Sequence, residues 1–304
     1  MRIEELVTKC KEITSSLNNL NVLFGGSAYS TCEVMALYGL PNVGKTLLSL
    51  QEAMYLASQG VNILYIDTEG SLASAYRAFG KALKERFGEP KGVIEVELLK
   101  SLEELLYYLG FKVEVMLKGQ KVEVQAEEVG GEPMIERVVR ESKIGFVIVD
   151  SITQPIREKF PSVQQNFPAR ADVTGMIYAS LLRIQAKYGV GVLTTHHASF
   201  NPANPYETLA DIRGGIAVLY ANKRVIYLDY REKKGMENIR RFWLVRGPGK
   251  QSWSDVAFAR IDDKGYWDIE FNLEYLTEGE KATIIGGREQ RPIQKRAPGS
   301  GRRQ

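Results

Sequence analysis

The sequence predicts an α/β fold, a mostly parallel twisted sheet flanked by helices, with an antiparallel C-terminal extension and an inserted β-hairpin. Three observations carry that prediction. Apolar runs of strand length alternate with helical segments, the pattern of a parallel sheet covered on both faces. A glycine-rich octapeptide, Gly39–Thr46, separates the first such run from the first long helix. The last third changes to short strand-like runs with no helix between them. The chain has 304 residues, 44% of them hydrophobic and 25% charged, which excludes collagenous, disordered and disulfide-scaffold classes. No run of about 18 apolar residues occurs, and the charged start MRIEELVTKCKEITSS has no signal-peptide core, so a cytoplasmic location without membrane contact is expected.

Taken in order, the first sixteen residues can form one amphipathic helix through Ile3, Leu6, Val7, Cys10 and Ile13, and residues 1–20 are expected as a short N-terminal helix. The core is expected to span 21–275. EVMALY, VNILYI and VIEVEL (93–98) read as strands, with a helix to Gln59 after the octapeptide. Ser101 and Glu104 form a capping box at a helix start. In FKVEVMLKGQKVEVQ, valines alternate on both sides of Lys118-Gly119-Gln120, which predicts a β-hairpin inserted at about 110–131. A helix at about 133–142, the buried strand GFVIVD (145–150), a helix from about 169 to 188 and the strand VGVLTT (190–195) follow. VIYLDY, FWLVR, DVAFARI and YWDIE then extend the sheet in antiparallel fashion.

The segment 276–304 is expected as a basic, disordered tail. Arg288, Arg291, Lys295, Arg296, Arg302 and Arg303 against Glu289 give its last seventeen residues a net +5, so the formal +3 of the chain hides a body of −2. Cys10 and Cys32 stand twenty-two residues apart with no CxxC or Cys/His cluster. They exclude a zinc site and read as small apolar fillers. The only histidines, His196 and His197, are adjacent.

Gly39-Leu40-Pro41-Asn42-Val43-Gly44-Lys45-Thr46 matches GxxxxGK[ST] between a strand and a helix, with Leu47 continuing into the helix. Its glycines let backbone N–H groups and the helix N-terminus face phosphate oxygens. Lys45 would neutralise the terminal phosphates and the Thr46 hydroxyl would ligate Mg²⁺. The second metal anchor should be an acid ending another buried strand, which Asp150 provides. Glu69, in Asp67-Thr68-Glu69-Gly70 at the next strand end, is the candidate to orient or deprotonate the attacking water. ATP and Mg²⁺ are the cofactors this set calls for.

The ordered set GLPNVGKT, YIDTEGS, FVIVDSIT, Ala169-Arg170, VLTTHH, Gly214-Gly215 and KRVIYLDY resembles the RecA/RadA recombinase superfamily over roughly residues 20–270, most like its archaeal RadA and RadB branch and paralogues. The resemblance implies a RecA-like P-loop NTPase core. It implies a DNA-binding, Mg²⁺-dependent ATPase in homologous recombination and DNA repair, with Glu69 as catalytic glutamate and Tyr76 stacked on adenine. Where the family has Thr-Asn-Gln this chain has Thr195-His196-His197, so His197 would sense the γ-phosphate. Two loops of the family hold single-stranded DNA. They match 154–168, with Arg157, Lys159 and Phe160, and 198–213, with Phe200, Tyr206 and Arg213, the cations and stacking rings that single-strand binding uses. Arg246 and Lys250, around Gly247-Pro248-Gly249, match residues acting in trans on a neighbour's nucleotide, which implies a homo-oligomer.

Set against the family, neither a separate N-terminal DNA-binding domain nor a Phe-containing polymerisation linker is expected here, whereas the hairpin insertion is. An accessory paralogue working with a recombinase partner is therefore expected. The His-His pair is also similar to hexameric replicative helicases, and a nucleotide-gated scaffold with negligible hydrolysis is the third reading.

Overall fold

The structure, a computed structural model, describes residues 4–5, 9–118, 121–160, 166–199, 211–212, 218, 221–250, 252–253 and 255–289. The chain enters through β1 (Glu12–Ile13), α1 (Asn18–Leu23) and β2 (Tyr29–Ser30). Next come β3 (Val34–Gly39), α2 (Lys45–Ser58), β4 (Ile63–Asp67), α3 (Leu72–Phe87), β5 (Ile94–Leu98) and α4 (Leu102–Tyr108). The hairpin β6 (Phe111–Lys118) and β7 (Lys121–Glu128) precedes α5 (Met134–Glu141), β8 (Phe146–Asp150), α6 (Thr153–Lys159), α7 (Phe167–Tyr188) and β9 (Gly191–Ser199). Then follow β10 (Asp211–Ile212), β11 (Arg224–Asp229), β12 (Ile239–Arg246), β13 (Val256–Asp262), β14 (Gly265–Asp268) and α8 (Glu278–Glu289).

The main sheet has the order β14-β13-β12-β11-β3-β9-β8-β4-β5, with β10 paired to β9. From β11 to β5 all neighbours are parallel, and β11 to β14 are joined antiparallel. The alternation of side chains explains why the central strands are apolar throughout. Val34, Ala36, Val147, Val149, Leu64 and Ile66 enter one core cluster with α4, α5 and α7. Met35, Leu37, Phe146, Ile148, Ile63 and Tyr65 enter a second one with α1 and α2. Each strand is thus buried on both faces, as a covered parallel sheet requires. The β6–β7 hairpin forms its own two-stranded sheet and seals the first cluster with Val122, Val113 and Val124.

Several sequence expectations are corrected. The N-terminal helix does not run to Ile13, because Glu12 and Ile13 pair with Ser30 and Tyr29. That ladder brings Cys10 and Cys32 to a Cα–Cα distance of 5.3 Å, and they form a disulfide instead of acting as apolar fillers. The α1 helix crosses the expected boundary at residue 20, and Leu17, Leu20 and Leu23 belong to the core. β11 is parallel to β3, so only β12 to β14 are antiparallel additions. The tail is structured as far as Glu289. Thr277 and Glu280 bond each other's backbone N–H, Glu280 pairs with Arg241 at 3.0 Å and Ile284 is buried, which docks α8 on β12. The remaining basic residues from Arg291 onward lie outside the described residues.

Candidate functional site

The parallel strands end together on one edge. Gly39 is in register with His197, and Asp67 with Asp150. That register carries the loop 39–46, Glu69, Asp150 and His197 to one rim, the carboxyl edge where open α/β sheets form their sites.

The loop's shape follows from its residues. Asn42 and Gly44 have φ of 61° and 106°, the left-handed region that turns successive N–H groups inward. A Cβ on Gly39 would strike the Leu228 carbonyl, and one on Gly44 would strike the Tyr266 hydroxyl. Lys45, buried at the first turn of α2, donates to the carbonyls of Gly39 and Leu40 at 3.0 and 2.9 Å. Burial lowers its pKa, while Asp150 and Glu69 pull it up. Two residues from the antiparallel strands hold the loop from behind. Arg240 Nε donates to the Val43 carbonyl at 2.8 Å, and the Tyr266 hydroxyl donates to the Gly44 carbonyl at 3.1 Å.

Asp150 is almost wholly buried. Burial raises its pKa, against hydrogen bonds from Thr195, Thr46 and Tyr65. Thr195 donates to Oδ1 at 2.5 Å and Tyr65 to Oδ2 at 2.9 Å. Asp67 accepts from the backbone of Glu69, Gly70 and Leu72, fixing the turn that carries Glu69. Glu69 Oε1 meets the Ser151 hydroxyl at 2.6 Å and His197 Nε2 at 3.0 Å. The His197 hydrogen bond is the chief reason its carboxyl sits below the usual value. Among the described residues no cluster of three His, Cys, Asp or Glu could cage a metal. The adjoining Thr46 hydroxyl and Asp150 carboxylate suit a hard ion that takes its other oxygens from phosphate and water.

The two histidines separate, because neighbouring residues of a strand face opposite ways. His197 joins the rim. His196 Nε2 lies 2.7 Å from the Tyr178 hydroxyl and 3.2 Å from Thr194 Oγ1, its ring stacked on Tyr178, and burial pushes its pKa down to about 3. It is a neutral core residue.

Other site candidates fare differently. Tyr76 is half exposed and lines an apolar cavity of ≈ 540 Å³ between α2, α3 and β5, which Asp67 and Gly70 also line and residues 39–46 do not. Its contact with adenine stays a proposal that rests on the resemblance. The stretch 154–168 is not one long loop. Thr153–Lys159 is helical, so Arg157 and Lys159 sit on α6, and Lys159 pairs with Glu103. Phe160 is completely buried in the core, which rules out base stacking by it. Phe200, Tyr206 and Arg213 lie outside the described residues. Arg246 pairs with Val225 near the start of β11, at the end of the sheet opposite the loop, and Lys250 pairs with Asp255 at 3.3 Å.

Sequence reasoning missed Thr195, Tyr65, Ser151, Arg240 and Tyr266. Thr195 was readable as the residue two before His197, hence on the same strand face. Arg240 and Tyr266 lie about two hundred residues beyond the loop and carry no local signal.

The sheet order and the rim define a nucleotide-binding protein of RecA-like fold, with a P-loop on β3 and an acid closing each of two neighbouring strands. The chain belongs to the AAA domain family, whose model matches residues 8–202. Among curated relatives it is similar to the DNA repair and recombination protein RadB of Methanococcus maripaludis, 27% identical over 200 residues, covering 66% of this chain and 77% of the relative. The protein of that name from Methanosphaera stadtmanae is 24% identical over 248 residues, covering 81% of this chain and 91% of the relative. The crystal structure of the RadB recombinase superimposes with a TM-score of 0.58 at 19% identity, covering 85% of this chain and all of that one, and shares its fold. Among the described residues no helix is long and apolar enough to cross a membrane.

Proposed function

We propose that this protein is a Mg²⁺-dependent ATPase of the RecA/RadA type that binds single-stranded DNA and serves recombinational repair as an accessory paralogue. The observation that carries the reading is the meeting of Lys45, the Thr46–Asp150 pair and Glu69 with His197 on one rim. The residues Gly39 to Leu47 hold the phosphates through backbone N–H groups and the start of α2. Lys45 orients the terminal phosphate, and Thr46 and Asp150 hold Mg²⁺. That ion, when bound, neutralises charge on the phosphate oxygens. Glu69 orients the attacking water and takes its proton, while His197 donates to the terminal phosphate.

The names of the relatives support the recombination assignment. Arg157, exposed on α6 behind β8, and the segment 198–213 with Phe200, Tyr206 and Arg213 are the proposed DNA contacts. Arg246 and Lys250 lie away from the chain's own loop, which favours action on a second copy's nucleotide. The helicase reading loses its motive, since His196 is committed to Tyr178.

Phosphate release is the test, measured with MgATP, with and without single-stranded DNA. The expected result is Mg²⁺-dependent turnover that rises with DNA and loses the rise as salt screens the phosphate contacts. Turnover indifferent to DNA at low salt would overturn the DNA half, and background turnover throughout would overturn the ATPase half.

A further inference from the structure

Two donors converge on one oxygen. Ser151 Oγ and His197 Nε2 both lie within hydrogen-bond distance of Glu69 Oε1. An ionised carboxylate only accepts, so His197 carries its proton on Nε2. The other ring nitrogen, Nδ1, is buried without a hydrogen-bond partner among the described residues. A neutral imidazole in this tautomer has one N–H, and that single donor serves one acceptor at a time.

The position of His197 offers it a second acceptor. Gly39, where the P-loop begins, is its partner across the β3–β9 ladder. Lys45 Nζ donates to the carbonyl of the same Gly39 at 3.0 Å. A terminal phosphate held by Lys45 is therefore delivered to the side of the rim where the His197–Glu69 pair stands. The backbone N–H of His197 is fixed by Thr153 Oγ1 at 3.2 Å, so exchange of partner needs only rotation of the side chain. Hydrogen bonds to the charged form of a carboxylate lower its basicity, and a carboxylate so held is a poor acceptor of a proton from water.

Building on the ATPase reading, we propose that His197 is a positioning residue that latches Glu69 in a weakly basic state. The terminal phosphate of a nucleoside triphosphate opens the latch by taking the Nε2–H, and a diphosphate leaves it closed. The base would then be released only when the bond to be cut is present. Ser151 keeps its own hydrogen bond and holds the carboxylate in place as His197 leaves.

The composition makes this measurable. The chain has only two histidines, so ¹⁵N-histidine labelling yields four ring nitrogens, and His196, held by Tyr178 and Thr194, is an internal reference. In the unliganded protein His197 is expected as the Nε2–H tautomer. MgATPγS should move its Nε2 resonance and MgADP should not, with His196 unmoved by both. Glu69→Ala should shift His197 before any nucleotide is added. It should also raise the preference for ATPγS over ADP roughly tenfold, the worth of one hydrogen bond to a charged group. In a His197→Phe background the same Glu69→Ala change should have a smaller effect on that preference, whereas simple charge repulsion would act equally in both. Equal His197 shifts with the two nucleotides, or none with ATPγS although calorimetry shows both bind, would overturn the latch and leave the nucleotide site standing. Absence of binding by either nucleotide would remove the ATPase reading and the latch with it.

Discussion

The two ends of the same parallel strands have opposite tasks. At the carboxyl ends, buried Lys45, Asp150 and His197 and the more exposed Glu69 aim charge or lone pairs at a common rim. At the amino ends, the links around Cys10, Cys32 and Arg224 close the fold. The Cys10–Cys32 disulfide ties the entry segment to the approach of β3. Arg224, at the start of β11, donates to Glu33 at 2.6 Å, to Glu12 at 3.1 Å and to the Ser27 carbonyl. In this buried Arg each guanidinium nitrogen donates to a group of the fold itself, two carboxylates and a carbonyl. Burial of charge therefore does not mark function by itself. The sign of function is a buried ionisable group whose partners are other ionisable groups around an opening.

Changes at the two ends should separate chemistry from stability. The largest effect is expected from Lys45→Ala, which should weaken MgATP binding about 10²-fold, the loss of a charge-assisted contact of ~3 kcal/mol, with an unchanged melting curve. Calorimetric titration checks it. At the opposite end, Cys10→Ser should lower unfolding free energy by about 3 kcal/mol, the chain-entropy value for a loop of this length, and leave kcat unaltered. Denaturant titration of oxidised and reduced protein measures it, and altered kcat in the folded variant would break the separation.

His196 lies one residue inside the rim, opposite Tyr38, and tests the structural class alone. Its folded-state pKa, about 3, lies below the ordinary 6.5. Between those values the unfolded chain binds a proton that the folded chain refuses, so stability falls as pH drops through that window, by at most about 1.4 kcal/mol per unit. His196→Gln should flatten that part of the stability curve. The smallest effect belongs to Tyr266→Phe, which removes one hydrogen bond behind the P-loop. It should weaken nucleotide binding by ~1 kcal/mol, roughly fivefold, with kcat intact.

The rim was legible where chemistry depends on local pattern. GLPNVGKT between strand and helix, DTEG closing β4 and Asp150 closing β8 each sit at the end of an apolar run, and strand ends in a parallel sheet fall in register. Period-two alternation also separates His196 from His197, although the adjacent pair invites a shared role. Phe160 was misread because polar neighbours and prolines suggest a loop, while the side chain fills the core beneath a short helix. The disulfide was hidden because the helical spacing of Ile3, Leu6, Val7 and Cys10 competes with a two-residue ladder that only tertiary pairing creates. Thr277 and Glu280, a capping box within an expected disordered tail, were readable and outweighed by the composition after Gly287.

Central to the account is that the Glu69 carboxylate performs the hydrolysis for which the rim is built. The direct measurement is single-turnover ATP cleavage by wild-type protein and Glu69→Gln at saturating MgATP, with nucleotide occupancy measured in the same samples. The account predicts equal occupancy with cleavage slowed by about 10²-fold or more in the variant. Equal cleavage rates at equal occupancy would contradict it.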